Sequence, residues 1–172
     1  NENTIGRMVN RIQGSNRAEI DITLNNSEHV LLAFGNRQER HMDVSLPGNN
    51  LDVEPVYIPP KEIISSMENF GALYREYHIA FEETYYDLTL LLEKPLRKGP
   101  NTSEQNSVLS SFEHIMDGKI VQRDKKFFLK VKGSGEFEMG LVSEGYRKLS
   151  TIMYLIQSGS LGKNSILFWD EP

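Results

Sequence analysis

Between residues 17 and 24 apolar and polar side chains alternate, which sets Ala18, Ile20, Ile22 and Leu24 on one face and predicts a strand. Asn25-Asn26 supplies a turn, and residues 29–34 give a second apolar strand. Pro47-Gly48-Asn49-Asn50 reads as a loop, and residues 53–58 as a further short strand closed by Pro59-Pro60. The period then changes. Over residues 61–93 apolar side chains recur at helical spacing (Ile63, Ile64, Met67, Phe70, Leu73, Tyr74, Tyr77, then Leu88, Leu91, Leu92), which predicts a helical block interrupted near Gly71 and ended by Pro95 and Gly99-Pro100. A helix over 102–116 is stopped by Asp117-Gly118. Residues 119–131 read as a hairpin turning at Asp124-Lys125, followed by Gly133-Ser134-Gly135. A glycine turn at Ser143-Glu144-Gly145 opens a strong helix over 146–157, capped by Ser158-Gly159, and residues 166–169 predict a buried strand that runs into two acids.

Composition narrows what this pattern can be. The chain has 172 residues, 38% apolar and 25% charged, near the size of one domain and rich enough in apolar side chains to close a core. A net charge of −5 argues against binding nucleic acid through global charge, though a local basic patch stays open. With no cysteine, disulfides, thiolate catalysis and Cys-ligated zinc are excluded. No apolar run approaches the roughly 18 residues of a membrane helix and no basic-then-apolar leader opens the chain, so a cytoplasmic location without a membrane partner is expected.

Two stretches carry candidate chemistry. In Ile166-Leu167-Phe168-Trp169-Asp170-Glu171 a strand delivers adjacent carboxylates to its carboxyl end, where the loops of α/β sheets diverge and ligands collect. An aspartate there can hold Mg²⁺ beside phosphate oxygens, and the next glutamate can take a proton from an attacking water. A core strand running out into solvent would read the same way. In Ser143-Glu144-Gly145-Tyr146-Arg147-Lys148 a hydroxyl, a glycine and free amides stand at the mouth of a helix, a setting that favours an anion. Arg147 and Lys148 oppose the helix dipole there, and a bound phosphate would account for them; an ordinary serine cap with a solvated Arg-Lys pair is the plainer reading.

Together these stretches resemble ABC-type ATPases, most closely the AAA-family, OLD-like and recombination or structural-maintenance branch found in bacterial and phage-defence systems. The resemblance is carried by Leu141-Val142-Ser143-Glu144-Gly145-Tyr146-Arg147-Lys148-Leu149 as the signature motif and Ile166-Leu167-Phe168-Trp169-Asp170-Glu171-Pro172 as Walker B. It extends more loosely to Tyr57-Ile58-Pro59-Pro60-Lys61-Glu62-Ile63-Ile64 with the helices behind it, and to Ile5-Gly6-Arg7-Met8-Val9. It implies an α/β fold with α+β character, one partial P-loop ATPase domain over 1–172: a β-rich part (1–60), an inserted helical lobe (61–118), a β-hairpin (119–142), then the signature helix and Walker B strand (143–172). It also implies ATP and Mg²⁺ as cofactors, with Asp170 on the metal and Glu171 polarising the attacking water. Ser143 and Gly145 would reach the nucleotide of a second copy in a head-to-tail ATP-sandwich dimer, with Arg147 or Lys148 adding charge. A nuclease or effector partner and DNA are further partners that such enzymes allow. At Lys61-Glu62, where the family has its Q-loop, no Gln stands.

The sequence also departs from the family. It holds no Walker A: Gly159-Ser160-Leu161-Gly162-Lys163-Asn164-Ser165 imitates one, but Lys163 leads through Asn164 into a strand, so it reads as a turn. The D-loop and switch histidine would lie beyond Pro172. The expectation is an ATP hydrolase in the full-length parent and an inactive fragment by itself. A different class stays open, a non-catalytic α+β binding or regulatory module. Such a module could bind nucleic acid through the 123–132 hairpin, where Arg123, Lys125, Lys126, Lys130 and Lys132 surround Phe127 and Phe128. The alternative puts Phe127, Leu129 and Val131 inward with the lysines outward. His29, His41, His78 and His114 show no metal-ligand spacing, and the tyrosine-rich helices read as core packing.

Overall fold

A computed structural model describes residues 5–9, 14, 16–23, 28–38, 41–46, 53–77 and 79–171. The expected turn at Asn25-Asn26, the loop at 47–50, Leu24, His78 and Pro172 lie outside the described residues. The fold is of mixed α and β character, in two compact units, Asn1–Asp52 and Val53–Pro172. The boundary falls ahead of the 53–58 strand and not at residue 60, because that strand pairs with the last strand of the chain.

The first unit holds a short 3-10 turn, Ile5–Met8, and an antiparallel sheet of β1 (Arg17–Thr23), β2 (His29–Gly35) and β3 (Asp43–Ser45), in the order β1-β2-β3. The predicted alternation sets its register. Ala18, Ile20 and Ile22 stand opposite Phe34, Leu32 and Val30, and Val44 opposite Leu32. On the other face Arg17 bridges Glu19 and Asp43 and His29 stands beside Asp21, with Leu31 and the buried Ala33 among them.

In the second unit β4 (Glu54–Ile58) pairs in parallel with β8 (Ser165–Trp169), from Glu54 opposite Ser165 to Ile58 opposite Trp169. A parallel pair requires a long crossover. Here it consists of helices α1 (Phe70–Tyr77), α2 (Glu83–Glu93) and α3 (Ser103–Met116), an antiparallel sheet β5 (Gly118–Arg123), β6 (Lys126–Val131) and β7 (Gly135–Glu138), and helix α4 (Glu144–Ser158). α4 is the spine. Every residue from Ser150 to Ile156 is buried, so the helix is covered on all sides, packing on α2, α3 and β5. Its Tyr154 ring meets Phe127 edge-on at 4.7 Å, and the Tyr154 hydroxyl lies 2.9 Å from the Lys94 carbonyl and 2.7 Å from Gln122 Oε1.

Local chemistry explains the boundaries. Thr102 and Gln105 form a reciprocal capping box at the start of α3, and Asp117 ends that helix in the left-handed region at φ 46°. At Gly118 a Cβ would meet the Lys130 carbonyl oxygen at 2.8 Å, so only glycine admits the close approach of β5 to β6. Asp124 and Lys125, at φ 48° and 66°, make the tight turn of the hairpin where the sequence places it. The alternation on β6 also holds, with Phe127 and Leu129 buried and Lys126 and Lys130 exposed.

Four expectations need correction. Residues 61–69 are turns, not helix. The Glu62 carboxylate accepts from the Ser65 amide (3.1 Å) and hydroxyl (2.6 Å), and Asn69 sits at φ 62°, so local side-chain bonds and a left-handed residue displace the helix while Ile63, Ile64 and Met67 are still buried. Gly71 lies inside α1, and the break falls between Tyr77 and Glu83. α4 starts at Glu144, with Gly145 in its first turn and Ser143 as the cap. β8 is not buried: Leu167 and Trp169 face the core, while Ile166 and Phe168 are 45% and 54% exposed. β7 went unpredicted because its four residues, Gly-Glu-Phe-Glu, carry a single apolar side chain.

Candidate functional site

Parallel pairing brings the carboxyl ends of β4 and β8 side by side, and Asp170 and Glu171 follow immediately. The Asp170 amide donates to the Ile58 carbonyl at 3.0 Å, extending the ladder one step past β8. Continuing the alternation of Ile166 and Phe168, Asp170 falls on the face of Tyr57, and the Tyr57 hydroxyl donates to Asp170 Oδ2 at 3.1 Å. Partial loss of water around this phenol, and then its hydrogen bond to Asp170, hold the Tyr57 hydroxyl above the ordinary tyrosine value. Glu171 turns the chain at φ 52°, and its carbonyl accepts from Lys148 Nζ at 2.6 Å. The start of α4 is therefore tied directly to the acid pair.

At that start, Ser143 makes no side-chain cap bond, and its carbonyl accepts from the Arg147 amide at 3.0 Å. The first amides of α4 have no carbonyl of their own helix to reach. A Cβ on Gly145 would meet nothing within 4 Å, so the backbone there is open to approach. A cavity of about 470 Å³ is lined by Glu144, Gly145, Tyr146, Lys148, Leu149 and Trp169. Trp169 Nε1 is buried with no hydrogen-bond partner among the described residues, as is Arg147 Nε.

The two cations that a phosphate would account for have partners within the chain. Arg147 Nη1 lies 2.9 Å from Glu62 Oε1, with side chains only 22% and 10% exposed. Lys148 adds a looser approach to Glu144 at 3.8 Å to its bond with the Glu171 carbonyl. Glu62 thus joins the segment after β4 to α4. The sequence places Tyr57 and Glu62 in one stretch of the resemblance, but gives neither the partner it has here. Tyr57 lies in β4 and Glu62 just after it, and the pairing of β4 with β8, 113 positions away in the Tyr57–Asp170 bond, leaves no local trace.

The other candidates separate clearly. In the loop after α4, the Leu161 amide bonds the Leu155 carbonyl and the Gly162 amide bonds Ser165 Oγ, so these N–H groups are not free to cradle phosphate and the stretch is a turn. On the hairpin, Arg123 pairs with Glu136, Lys126 with Glu68 and Glu138, and Lys119 with Glu113. Those acids pair two of the five cations that the sequence places on this face, Arg123 and Lys126. The aromatic helices pack on one another, Tyr74 stacked on Tyr86 at 5.0 Å and Phe70 edge-on to Phe81 at 5.3 Å.

Among the described residues no group of three or more His, Asp or Glu could hold a metal by itself. Mg²⁺, however, takes one or two carboxylates and completes its shell with phosphate oxygens and water, so the single carboxylate of Asp170, at the exposed end of β8, is a donor of the type such an ion takes. No described helix is long and apolar enough to cross a membrane. Comparison with known proteins finds no matching family model, no significantly similar curated protein and no similar solved structure.

Proposed function

We propose that this chain is part of an ABC-type, P-loop ATPase of the AAA-family and OLD-like branch, binding and hydrolysing ATP as a head-to-tail dimer. The observation that carries the reading is the meeting of its two motifs: the acid pair ends one of two adjacent parallel strands, and the first turn of α4 is bonded to it through Lys148. Asp170 holds a carboxylate oxygen toward the metal, and Glu171 accepts the proton of the attacking water. Ser143 and the open backbone at Gly145 offer donors to an anion brought by a second copy. Arg147 and Lys148 orient this turn through Glu62 and the Glu171 carbonyl. Bound Mg²⁺–ATP supplies the electrophilic phosphoryl group. Cytoplasmic location and a nuclease or effector partner belong to the same proposal.

A second reading, a non-catalytic α+β module, draws support from those internal partners, which explain the cations without a phosphate. Nucleotide turnover separates the two. With Mg²⁺, the full-length protein is expected to hydrolyse ATP, and Asp170→Asn to lose that activity; a full-length protein that neither binds nor hydrolyses ATP sinks the ATPase reading.

A further inference from the structure

Tyr57 is an unusual occupant of the outer face of β4. Its neighbours Val56 and Ile58 are buried, whereas Tyr57 is 37% exposed and stands opposite Phe168. Packing alone gives its hydroxyl no purpose, yet that hydroxyl reaches past the end of β8 to Asp170 Oδ2. The backbone of Asp170 is fixed independently by the Ile58 carbonyl. An aspartate at an exposed strand end would otherwise rotate freely about its side-chain bonds; here it is held at the amide and at one carboxylate oxygen. A carboxylate is an acceptor only and a neutral phenol can donate one proton, so the bond engages Oδ2 and leaves Oδ1 as the oxygen that Tyr57 does not occupy.

We propose that Tyr57 is a positioning residue for the metal-binding carboxylate, holding Asp170 Oδ2 so that Oδ1 is presented to a divalent cation or its water. The proposal rests on the ATPase reading and adds a residue to it. Removing a partner that orients a metal-ligating group typically costs about 10- to 100-fold in metal affinity. Tyr57 touches neither nucleotide nor metal and acts through Asp170 alone.

The test is the affinity of Mn²⁺ for the full-length protein saturated with ATP, read as Mn²⁺ retained with the protein in equilibrium dialysis over the level in a protein-free ATP compartment. Four forms are compared: wild type, Tyr57→Phe, Asp170→Asn and the double variant. Tyr57→Phe is expected to weaken Mn²⁺ binding by about 10- to 100-fold. In the Asp170→Asn background the same change is expected to have no further effect, because the amide can still accept from the hydroxyl but is no longer the metal-binding carboxylate; a merely structural role would weaken both backgrounds alike. Tyr57→Leu, which also lacks the hydroxyl, is expected to match Tyr57→Phe and serves if the latter does not fold. Wild-type Mn²⁺ affinity in Tyr57→Phe, with loss in Asp170→Asn, overturns the role of Tyr57 and leaves the ATPase reading intact. Equal weakening in both backgrounds also overturns it. No Mn²⁺ retained by the wild type with ATP overturns both.

Discussion

Glu62 and Arg147 meet at 2.9 Å with little water around them, and Glu62 also receives the Ser65 amide and hydroxyl. Removing one charge from such a pair leaves the other poorly solvated and unpaired. Glu62→Gln and Arg147→Met are each expected to cost about 3 kcal/mol of unfolding free energy in urea titration, with the double variant regaining part of the loss. The capping box is a smaller effect: Thr102→Ala is expected to cost about 1 kcal/mol. Gly118→Ala forces a Cβ into the Lys130 carbonyl, where the neighbour is backbone and cannot step aside. Its cost is expected at about 1–3 kcal/mol, measured by the same titration. These residues differ in legibility. Thr102 and Gly118 sit in recognisable stop and start signals. Glu62, by contrast, owes its role to a helix that arrives 85 positions later in sequence at Arg147.

At the scale of elements, periodicity located α3, the β5–β6 hairpin, α4 and β8 well, because each carries a cap, a turn or a terminating glycine beside a regular apolar pattern. It failed over 61–69, where Ile63, Ile64 and Met67 have helical spacing but Glu62 and Asn69 impose turns, and at β7, which has almost no apolar pattern to read. α4 contributes Ile152, Met153, Tyr154, Leu155 and Ile156 to the core, and burial raises the Tyr154 hydroxyl above its ordinary value. A tyrosine whose value is higher in the folded state favours folding below its unfolded value, about 10, and that contribution fades as pH climbs through the folded value. Stability is therefore expected to decline in strong alkali, and Tyr154→Phe to make that decline shallower; an unaltered alkaline profile would contradict the assignment. On the hairpin, Lys125, Lys130 and Lys132 have no ion pair among the described residues. If that face took single-stranded DNA, the slope of log affinity against log salt should be no steeper than about −2, as three phosphate contacts give.

For the molecule as a whole, the amino-acid pattern pointed to the acid pair and the turn before α4 as the chemically loaded regions, and the fold sets them together. The means by which it does so, the parallel pairing of β4 with β8 and the bonds of Tyr57 and Lys148, involve sequence separations that no local pattern records. The expectation of free cations at the start of α4 gives way to cations held by Glu62, Glu144 and the Glu171 carbonyl. The central claim is that Glu171 takes the proton of the water that attacks the nucleotide. Its most direct test is single-turnover ATP hydrolysis by the full-length Glu171→Gln protein beside the wild type. Hydrolysis slowed by about 100-fold or more, with ATP still bound, is the expected result, as for loss of a general base. Hydrolysis at the wild-type rate would contradict the assignment.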